Sequence, residues 1–179
     1  MIFLYLLLGL AAVLAAAFVV LVIVVALQPA DFRIVRSQSI AAPPSKIFGH
    51  VDELRRWEAW SPWAKLDPAM KTIYDGPPAG PGAKYAWDSD KVGAGKMTIL
   101  DSRPAELVQI QLDFKKPFEA TNIAEFTFVP ESGGTLVTWS MHGKKDFMSK
   151  GAHLFMDIDK MVGGDFEKGL ASLKAIAEK

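Results

Sequence analysis

The sequence predicts an α+β domain in which an antiparallel sheet packs on one long C-terminal helix, behind an N-terminal transmembrane helix. Three observations support this prediction. Residues 2–27 are an uncharged apolar run, the middle of the chain alternates apolar and polar residues, and residues 155–177 repeat apolar residues with helical spacing. We expect a transmembrane helix over residues 1–28, a short linker over residues 29–31 and one folded domain over residues 32–179.

Composition narrows the class of protein. The chain has 179 residues, 20 basic and 20 acidic side chains, and no cysteine. The roughly 150 residues after the apolar run are enough for one domain with a sizeable core. Balanced charge argues against a nucleic-acid partner, because phosphate binding normally needs a basic excess. The lack of cysteine excludes disulfides, thiolate nucleophiles and cysteine-ligated zinc.

The apolar run is long enough to cross a bilayer. Residues 2–27 contain no charge and no amide, and a helix of that length spans about 39 Å against roughly 30 Å of hydrocarbon. A cleaved signal peptide is the competing interpretation. It requires a basic start, a shorter apolar core and a small-x-small cleavage site, and residues 26–29 make a poor site. We therefore interpret the run as a retained single-pass anchor in the cell membrane.

The orientation of the anchor is left open by the sequence. Arg33 and Arg36 follow the run, which favours a cytoplasmic domain under the positive-inside rule, but only the α-amino group stands on the other side. The linker of residues 29–31 is short. The domain should therefore lie at the membrane surface, where Lys144, Lys145 and Lys150 belong to a loop that is either solvated or in contact with headgroups.

The folded domain begins with a strand over residues 32–40. Two short helices follow, over residues 46–51 and 54–60, and Ser61-Pro62 ends the second. Glycine- and proline-rich turns separate the later strands, and no crossover helix lies between them, so the sheet should be antiparallel. Six further strands are predicted over residues 70–75, 83–88, 96–102, 106–114, 121–129 and 135–142. A loop over residues 143–151 leads to the long helix.

One face of the long helix is apolar over about six turns. Gly169 lies near the middle of this face, where a glycine costs about 1 kcal/mol relative to alanine. Either another chain segment comes close to it, or space is left open beside it. The apolar face comprises Phe155, Ile158, Val162, Phe166, Leu170, Leu173 and Ile176, and the opposite side carries Lys160, Glu167, Lys174 and Glu178.

The order of elements and several motifs resemble a known family. The resemblance covers residues 32–179 and is to the SRPBCC (START-like, Bet v 1-like) helix-grip superfamily, in particular to membrane-anchored members of the polyketide cyclase/dehydrase type. It implies a helix-grip fold, a curved antiparallel sheet around a long C-terminal helix. Members include lipid carriers, hormone and polyketide binders, cyclases and co-chaperone-like domains, so the fold does not choose an activity. The motifs are Trp57-Glu-Ala-Trp-Ser-Pro-Trp63, Asp67-Pro68, Tyr74-Asp-Gly76, Gly80-Pro-Gly82 with Tyr85 and Trp87, Gly134-Thr-Leu-Val-Thr-Trp139 and residues 159–169.

The inward rows of the sheet and the apolar face of the helix predict a cavity for a hydrophobic small molecule or lipid. Their side chains carry almost no acid or base, which favours binding over catalysis, and we assign no catalytic residue, metal or cofactor. The tryptophans at positions 57, 60 and 63 form either a lid on the core or an aromatic ring at the cavity mouth. The predicted cavity residues are Trp60, Trp63, Tyr85, Trp87, Met97, Ile99, Ile110, Leu112, Phe126, Phe128, Trp139, Phe166 and Gly169.

Two other functions remain open at this point. The first is a polyketide-cyclase-like or hydrolase-like enzyme that uses Tyr85, Asp159 or His153 in the same cavity, with a carboxylate whose pKa is perturbed by burial. The second is a protein-interaction module whose core is filled. The three histidines have no metal-ligand spacing, and no phosphate-binding or zinc motif is present.

Overall fold

Seven strands form one antiparallel sheet in the computed structural model, which describes all 179 residues. The sheet order is β1-β7-β6-β5-β4-β3-β2. This architecture confirms the predicted fold class. The elements are α1 (Ile2–Leu27), β1 (Asp31–Ile40), α2 (Pro44–Asp52), a 3₁₀ helix (Leu54–Ala59), β2 (Lys71–Asp75), β3 (Lys84–Ser89), β4 (Gly93–Arg103), β5 (Leu107–Lys116), β6 (Ala120–Glu131), β7 (Gly134–Lys144), α3 (Phe147–Phe155) and α4 (Ile158–Ala177).

The register of the sheet places the predicted rows on the inward face. Val108 pairs with Phe126, and Phe126 pairs with Trp139. All three are buried, as are Ile110 and Val137. Most of their neighbours along the strands are partly exposed, because side chains alternate between the two faces with a period of two, although Leu107 and Ser140 are also buried. The alternation read from the sequence therefore predicts the orientation of these strands correctly.

Strand β4 begins three residues earlier than predicted. Residues 93–95, expected in a turn, pair with β3 and β5. Gly93 has a φ of 79°, a conformation that glycine adopts without strain. Register shifts occur between Ala94 and Gly95 and between Ile99 and Asp101. Irregularities of this kind bend a strand, and the first lies where Gly95 pairs with Trp87, a residue of the site described below.

The C-terminal helical region is two helices, which corrects the prediction of one helix from residue 155. Met156 has an extended backbone (φ −128°, ψ 131°) and ends α3, and α4 begins at Ile158. The predicted loop over residues 143–151 contains most of α3, whose first turn is capped by the Asp146 carboxylate accepting from the Ser149 N–H. Phe155 is 77% exposed and does not join the inward face. The apolar periodicity continues across the break between α3 and α4, so the sequence pattern does not indicate that the helix ends there.

The chain forms two compact units. Residues 1–32 and 145–157 make one, and residues 33–144 and 158–179 make the other. In the first, α1 is a continuous helix that packs against α3. The Lys150 ammonium donates to the Ala26 carbonyl (3.2 Å), and the Lys145 N–H donates to the Ala30 carbonyl (2.6 Å). The second unit contains the sheet from Arg33 onward, α2 and α4.

Candidate functional site

A cavity of about 490 Å³ lies on the inward face of the sheet within the second unit. Its walls are strands β2 to β7, residues 57–70 and the first half of α4. The lining is mostly apolar, and eight of its side chains are aromatic. The lining residues are Trp57, Glu58, Ser61, Trp63, Ala64, Asp67, Pro68, Met70, Thr72, Tyr74, Tyr85, Trp87, Val92, Met97, Ile110, Leu112, Phe114, Ala124, Trp139, Met141, Val162 and Phe166.

Eight of the thirteen residues predicted for the cavity line it: Trp63, Tyr85, Trp87, Met97, Ile110, Leu112, Trp139 and Phe166. The other five are buried but do not line it: Trp60, Ile99, Phe126, Phe128 and Gly169. Trp60 and Phe128 do not reach the cavity because they pack in a closed part of the core. The Trp60 indole N–H donates to the His50 carbonyl (3.0 Å), and Phe128 packs edge-on against Phe48 of α2 (5.8 Å).

Trp139 is at the centre of the aromatic cluster behind the cavity. Its ring is stacked on Phe166 of α4 at 4.0 Å with an interplanar angle of 5°, and on Phe126 at 4.7 Å. The tryptophans at positions 57, 60 and 63 approach it edge-on at 6.1, 5.7 and 5.8 Å. Two of these three also line the cavity. The segment is therefore packed on the core and contributes to the cavity wall at the same time.

Gly169 is a point of close approach, which corrects the interpretation that it leaves open space. A Cβ at this position would lie 2.8 Å from Cζ3 of Trp139 and 3.1 Å from Cδ of Pro62. Non-bonded carbon atoms pack at about 3.5–4.0 Å, so a side chain does not fit. The glycine allows the Trp139 ring to lie against the backbone of α4.

Gly95 has the same role for Trp87, another tryptophan that lines the cavity. A Cβ at Gly95 would lie 2.6 Å from Cζ2 of Trp87. The Trp87 ring therefore lies across β4, where it stacks on Tyr85 (6.0 Å, 19°) and meets the edge of Phe114 (5.9 Å, 80°). These contacts fix the ring in the wall of the cavity.

A polar pair fastens residues 61–70 to the turn between β3 and β4. The Ser89 hydroxyl donates to the Asp67 carboxylate (2.6 Å), and the Ala69 N–H donates to the same carboxylate (3.0 Å). The Ser89 oxygen accepts from the N–H groups of Lys91 and Val92. The Ser89 hydrogen bond, followed by that of Ala69, lowers the pKa of Asp67. Asp67 is therefore an ionised structural anchor of the segment that covers the cavity.

The candidate catalytic residues Tyr85 and Asp159, which belong to the same unit, are not brought together. Tyr85 lines the cavity, whereas the Asp159 carboxylate pairs with the Arg36 guanidinium (2.9 Å) on the outside of α4. His153 belongs to the other unit, where its ring lies 6.0 Å from Phe32 and burial lowers its pKa. Burial also raises the pKa of Tyr85 to about 12. Its phenol is therefore protonated at neutral pH and acts as a hydrogen-bond donor and acceptor, not as a base.

The raised pKa of Tyr85 predicts a loss of stability at alkaline pH. Between its ordinary value of 10.0 and about 12, the folded chain holds the phenol proton more tightly than the unfolded chain does. The free energy of unfolding should therefore fall as pH rises through this window. Tyr85→Phe keeps the ring and should make the fall shallower in urea unfolding curves. Identical slopes for the two proteins would contradict the prediction. Some slope should remain, because burial also raises the pKa of Tyr74.

Sequence reasoning missed part of the cavity wall. Phe114 and Met141 continue the inward rows of β5 and β7, so the alternation already indicated their side. Thr72 and Tyr74 share one face of β2 and follow from the same rule. The segment from Ser61 to Met70 has no periodicity that indicates which side chains face inward.

Comparisons with known proteins agree with this architecture. A family model described as polyketide cyclase / dehydrase and lipid transport matches residues 31–178. No curated protein matches the sequence. Three solved structures illustrate the shared fold. Because each is less than 25% identical, the likeness concerns the fold alone.

The first is protein CV1439 from Chromobacterium violaceum, with 18% identity and a TM-score of 0.59, covering 85% of this chain and 99% of that one. The second is the Aha1 dimer from Colwellia psychrerythraea, with 16% identity and a TM-score of 0.60, covering 82% and 96%. The third is the di-domain ARO/CYC StfQ from the steffimycin biosynthetic pathway, with 10% identity and a TM-score of 0.62, covering 83% and 51%.

Proposed function

Because the chain belongs to the polyketide cyclase / dehydrase and lipid transport family over residues 31–178, we propose that it binds a hydrophobic small molecule or lipid in the cavity between the sheet and α4. The observation that supports this most is the cavity itself. Its volume of about 490 Å³ falls within the roughly 300–1,000 Å³ of small-molecule sites, and its walls are aromatic and aliphatic. Such a void argues against an interaction module whose core is filled.

Two ionisable groups that line the cavity, Tyr85 and Asp67, favour binding over catalysis. General acid–base chemistry needs a group whose pKa lies near the working pH. Tyr85 has a pKa of about 12, and the pKa of Asp67 is lowered by the Ser89 hydroxyl. Asp159 and His153, the other two candidates, do not line the cavity. Native mass spectrometry of the full chain, released from detergent, should therefore detect a bound apolar molecule that is unaltered by the protein.

We further propose that α1 anchors the protein in the membrane as a single span. The helix has 26 residues, an 18-residue stretch of it has a mean hydropathy of 3.2, and Val25 is its one buried residue. Nearly all of its apolar side chains thus have no protein partner, as expected for a helix in contact with lipid. The Lys150 ammonium on the Ala26 carbonyl places a cation at the C-terminal end of the helix, which stabilises its last turn.

Helix α3 supports the same proposal. It packs on α1, and its exposed apolar side chains include Met148 (68% exposed) and Phe155. Apolar tips next to Lys145 and Lys150 are typical of a helix that lies in the headgroup region of a bilayer. We infer that α3 rests on the membrane surface at the point where α1 leaves it.

A membrane anchor predicts the behaviour of the protein in cell fractions. The full-length chain should remain in the membrane pellet after alkaline carbonate washing, because burial of α1 in lipid does not depend on salt or pH. Mass spectrometry of the pellet should recover peptides from residues 1–27. Recovery of a shortened, soluble chain that lacks this segment would instead support a cleaved signal peptide.

A further inference from the structure

Three loops of the second unit form one continuous surface at one end of the sheet, named here the loop end. The Ser89 hydroxyl donates to the Asp67 carboxylate (2.6 Å) and joins the first loop to the second. Gly93 lies directly against the Lys116 carbonyl and joins the second loop to the third. The three loops are residues 64–69, residues 89–93 between β3 and β4, and residues 115–119 between β5 and β6.

Strand β1 enters the sheet at the loop end. Its final residue, Ile40, lies against Gly134 at the start of β7, and the hydroxyls of Ser37 and Thr138 are hydrogen bonded (2.8 Å). The start of β1 is therefore beside the end of β7, which pairs with the start of β6 next to the loop end. Only three residues separate α1 from β1. With α1 in a bilayer, the chain thus passes from the bilayer into the sheet at the loop end.

Two large apolar side chains of the loop end are exposed. Leu66 is 55% exposed and Phe118 is 67% exposed, each on a different loop. Lys65 directly precedes Leu66, and Lys116 lies two residues before Phe118. Lysine next to exposed apolar side chains is typical of membrane-surface segments, because the long stem lets the ammonium remain among the headgroups while the apolar neighbours enter the acyl region.

The charges of the loop end are compatible with an uncharged lipid surface. Its exposed charged side chains are Lys65, Asp90, Lys91, Lys115, Lys116 and Glu119. Lys116 pairs with Asp88 of β3 (3.2 Å), which reduces the basic excess further. Attraction to anionic headgroups is therefore weak. The apolar area of Leu66 and Phe118 is the main favourable contribution that this surface offers to lipid.

The cavity lies in the half of the second unit nearest the loop end. Pro68 and Val92, which belong to two of the three loops, line it. Phe114 and Met141 line it from the ends of β5 and β7 that lead to the loop end. Phe128, close to the other end of β6, packs in the closed core. A bilayer in contact with the loop end would therefore lie next to the cavity and not next to the closed core.

We propose that the loop end docks on the surface of a phospholipid bilayer, with Leu66 and Phe118 inserted among the lipid chains. This inference rests on the proposed membrane anchor and goes beyond it, since it assigns a lipid-binding surface to the folded domain itself. Docking requires no anionic lipid. It places the segment that covers the cavity, residues 61–70, against the membrane.

Single-cysteine labelling of the full chain tests the proposal, because the native sequence has no cysteine. An environment-sensitive nitrobenzoxadiazole label is attached to Leu66→Cys or Phe118→Cys, and the protein is reconstituted in phosphatidylcholine bilayers. Some of the lipid carries a nitroxide quencher on the acyl chain close to the headgroup. The matched control is Val129→Cys, which is 52% exposed but lies about 30 Å along β6 from the loop end.

We expect the labels at positions 66 and 118 to shift to the blue and to be quenched, and the label at position 129 to do neither. Phe118→Asp should lower the ratio of quenched to unquenched label at position 66 by about three- to tenfold, because an apolar side chain leaves the lipid and a charge takes its place. The matched variant Val129→Asp should leave that ratio unchanged. Both substituted residues are exposed, so thermal melts should match wild type.

Failure of the docking surface and failure of the anchor give different results. A label on Leu14→Cys in α1 should be quenched by a nitroxide near the bilayer centre. If this label is quenched while those at positions 66 and 118 are not, the anchor holds and the docking proposal is wrong. A blue shift at position 118 that depends on protein concentration, without quenching, would also overturn docking, because a second copy would then cover the loop end. An unquenched label at position 14 would show that the proposed anchor itself is wrong.

Discussion

Replacing Ala124 by phenylalanine is expected to weaken binding of a neutral apolar probe by about tenfold or more while leaving the protein folded. Ala124 is 2% exposed, lies on the inward face of β6 and lines the cavity. Its pairing partners, Ile110 and Met141, also line the cavity. A phenyl ring there would occupy space now open to a ligand, and even one misplaced methylene in an apolar pocket costs 10-fold or more. Calorimetric titration with 2-acetylnaphthalene measures the effect.

The matched control is Val129→Phe on the same strand. Val129 is 52% exposed and lies on the opposite face of β6, so an added ring meets solvent. Binding by this variant should equal that of wild type. If Ala124→Phe retained full affinity, the ligand would not occupy this cavity. A large loss of stability in Ala124→Phe would indicate a closed core, because overpacking such a core typically costs 1–3 kcal/mol.

The residues on the inward face of the sheet could be predicted because the alternation of apolar and polar residues determines which face each side chain lies on. Val108, Ile110 and Leu112 have the same parity, and a one-residue shift would have turned all of them outward. The same argument holds for Val137 and Trp139. For these strands, local sequence contains the information that decides the orientation of each side chain.

Strand alternation shows which side chains point inward, but not which of these line the cavity. Met97 and Ile110 line it, whereas three residues with the same orientation pack in the closed core: Ile99, Phe126 and Phe128. The difference depends on what covers each position, which is set by helices distant in sequence. Phe128, for example, meets Phe48 of α2.

The hydrogen bond between Asp67 and Ser89 could not be predicted from the sequence either. Its two residues have 21 others between them along the chain, and neither belongs to a periodic pattern.

The break at Met156 was missed for a related reason. Helix periodicity places Phe155 and Ile158 on one face, and no glycine or proline marks the boundary between α3 and α4. The capping pair Asp146 and Ser149 was the available signal for the start of a separate helix. Residues 145–157 then form a unit with the N-terminal helix and not with α4. The local sequence pattern thus predicts one continuous helix, whereas the structure ends α3 where the chain leaves the unit that contains α1.

Two glycines of α4 should respond to alanine with opposite signs. Gly169→Ala places a Cβ 2.8 Å from the Trp139 ring, which is rigid and held between Phe166 and Phe126. The expected cost is about 1–3 kcal/mol of overpacking, more than the roughly 1 kcal/mol gained in helix propensity. At Gly164 a Cβ would have no atom within 4 Å, so Gly164→Ala should stabilise the protein by up to about 1 kcal/mol.

Thermal and urea unfolding of the full chain in detergent would measure both changes against wild type. Gly169→Ala should also weaken binding of 2-acetylnaphthalene, because a displaced Trp139 ring moves a wall of the cavity, whereas Gly164→Ala should bind like wild type. Stabilisation of both variants would contradict the close approach of Trp139 to α4. It would mean that space does lie beside Gly169, and that the cavity extends along the helix beyond Phe166.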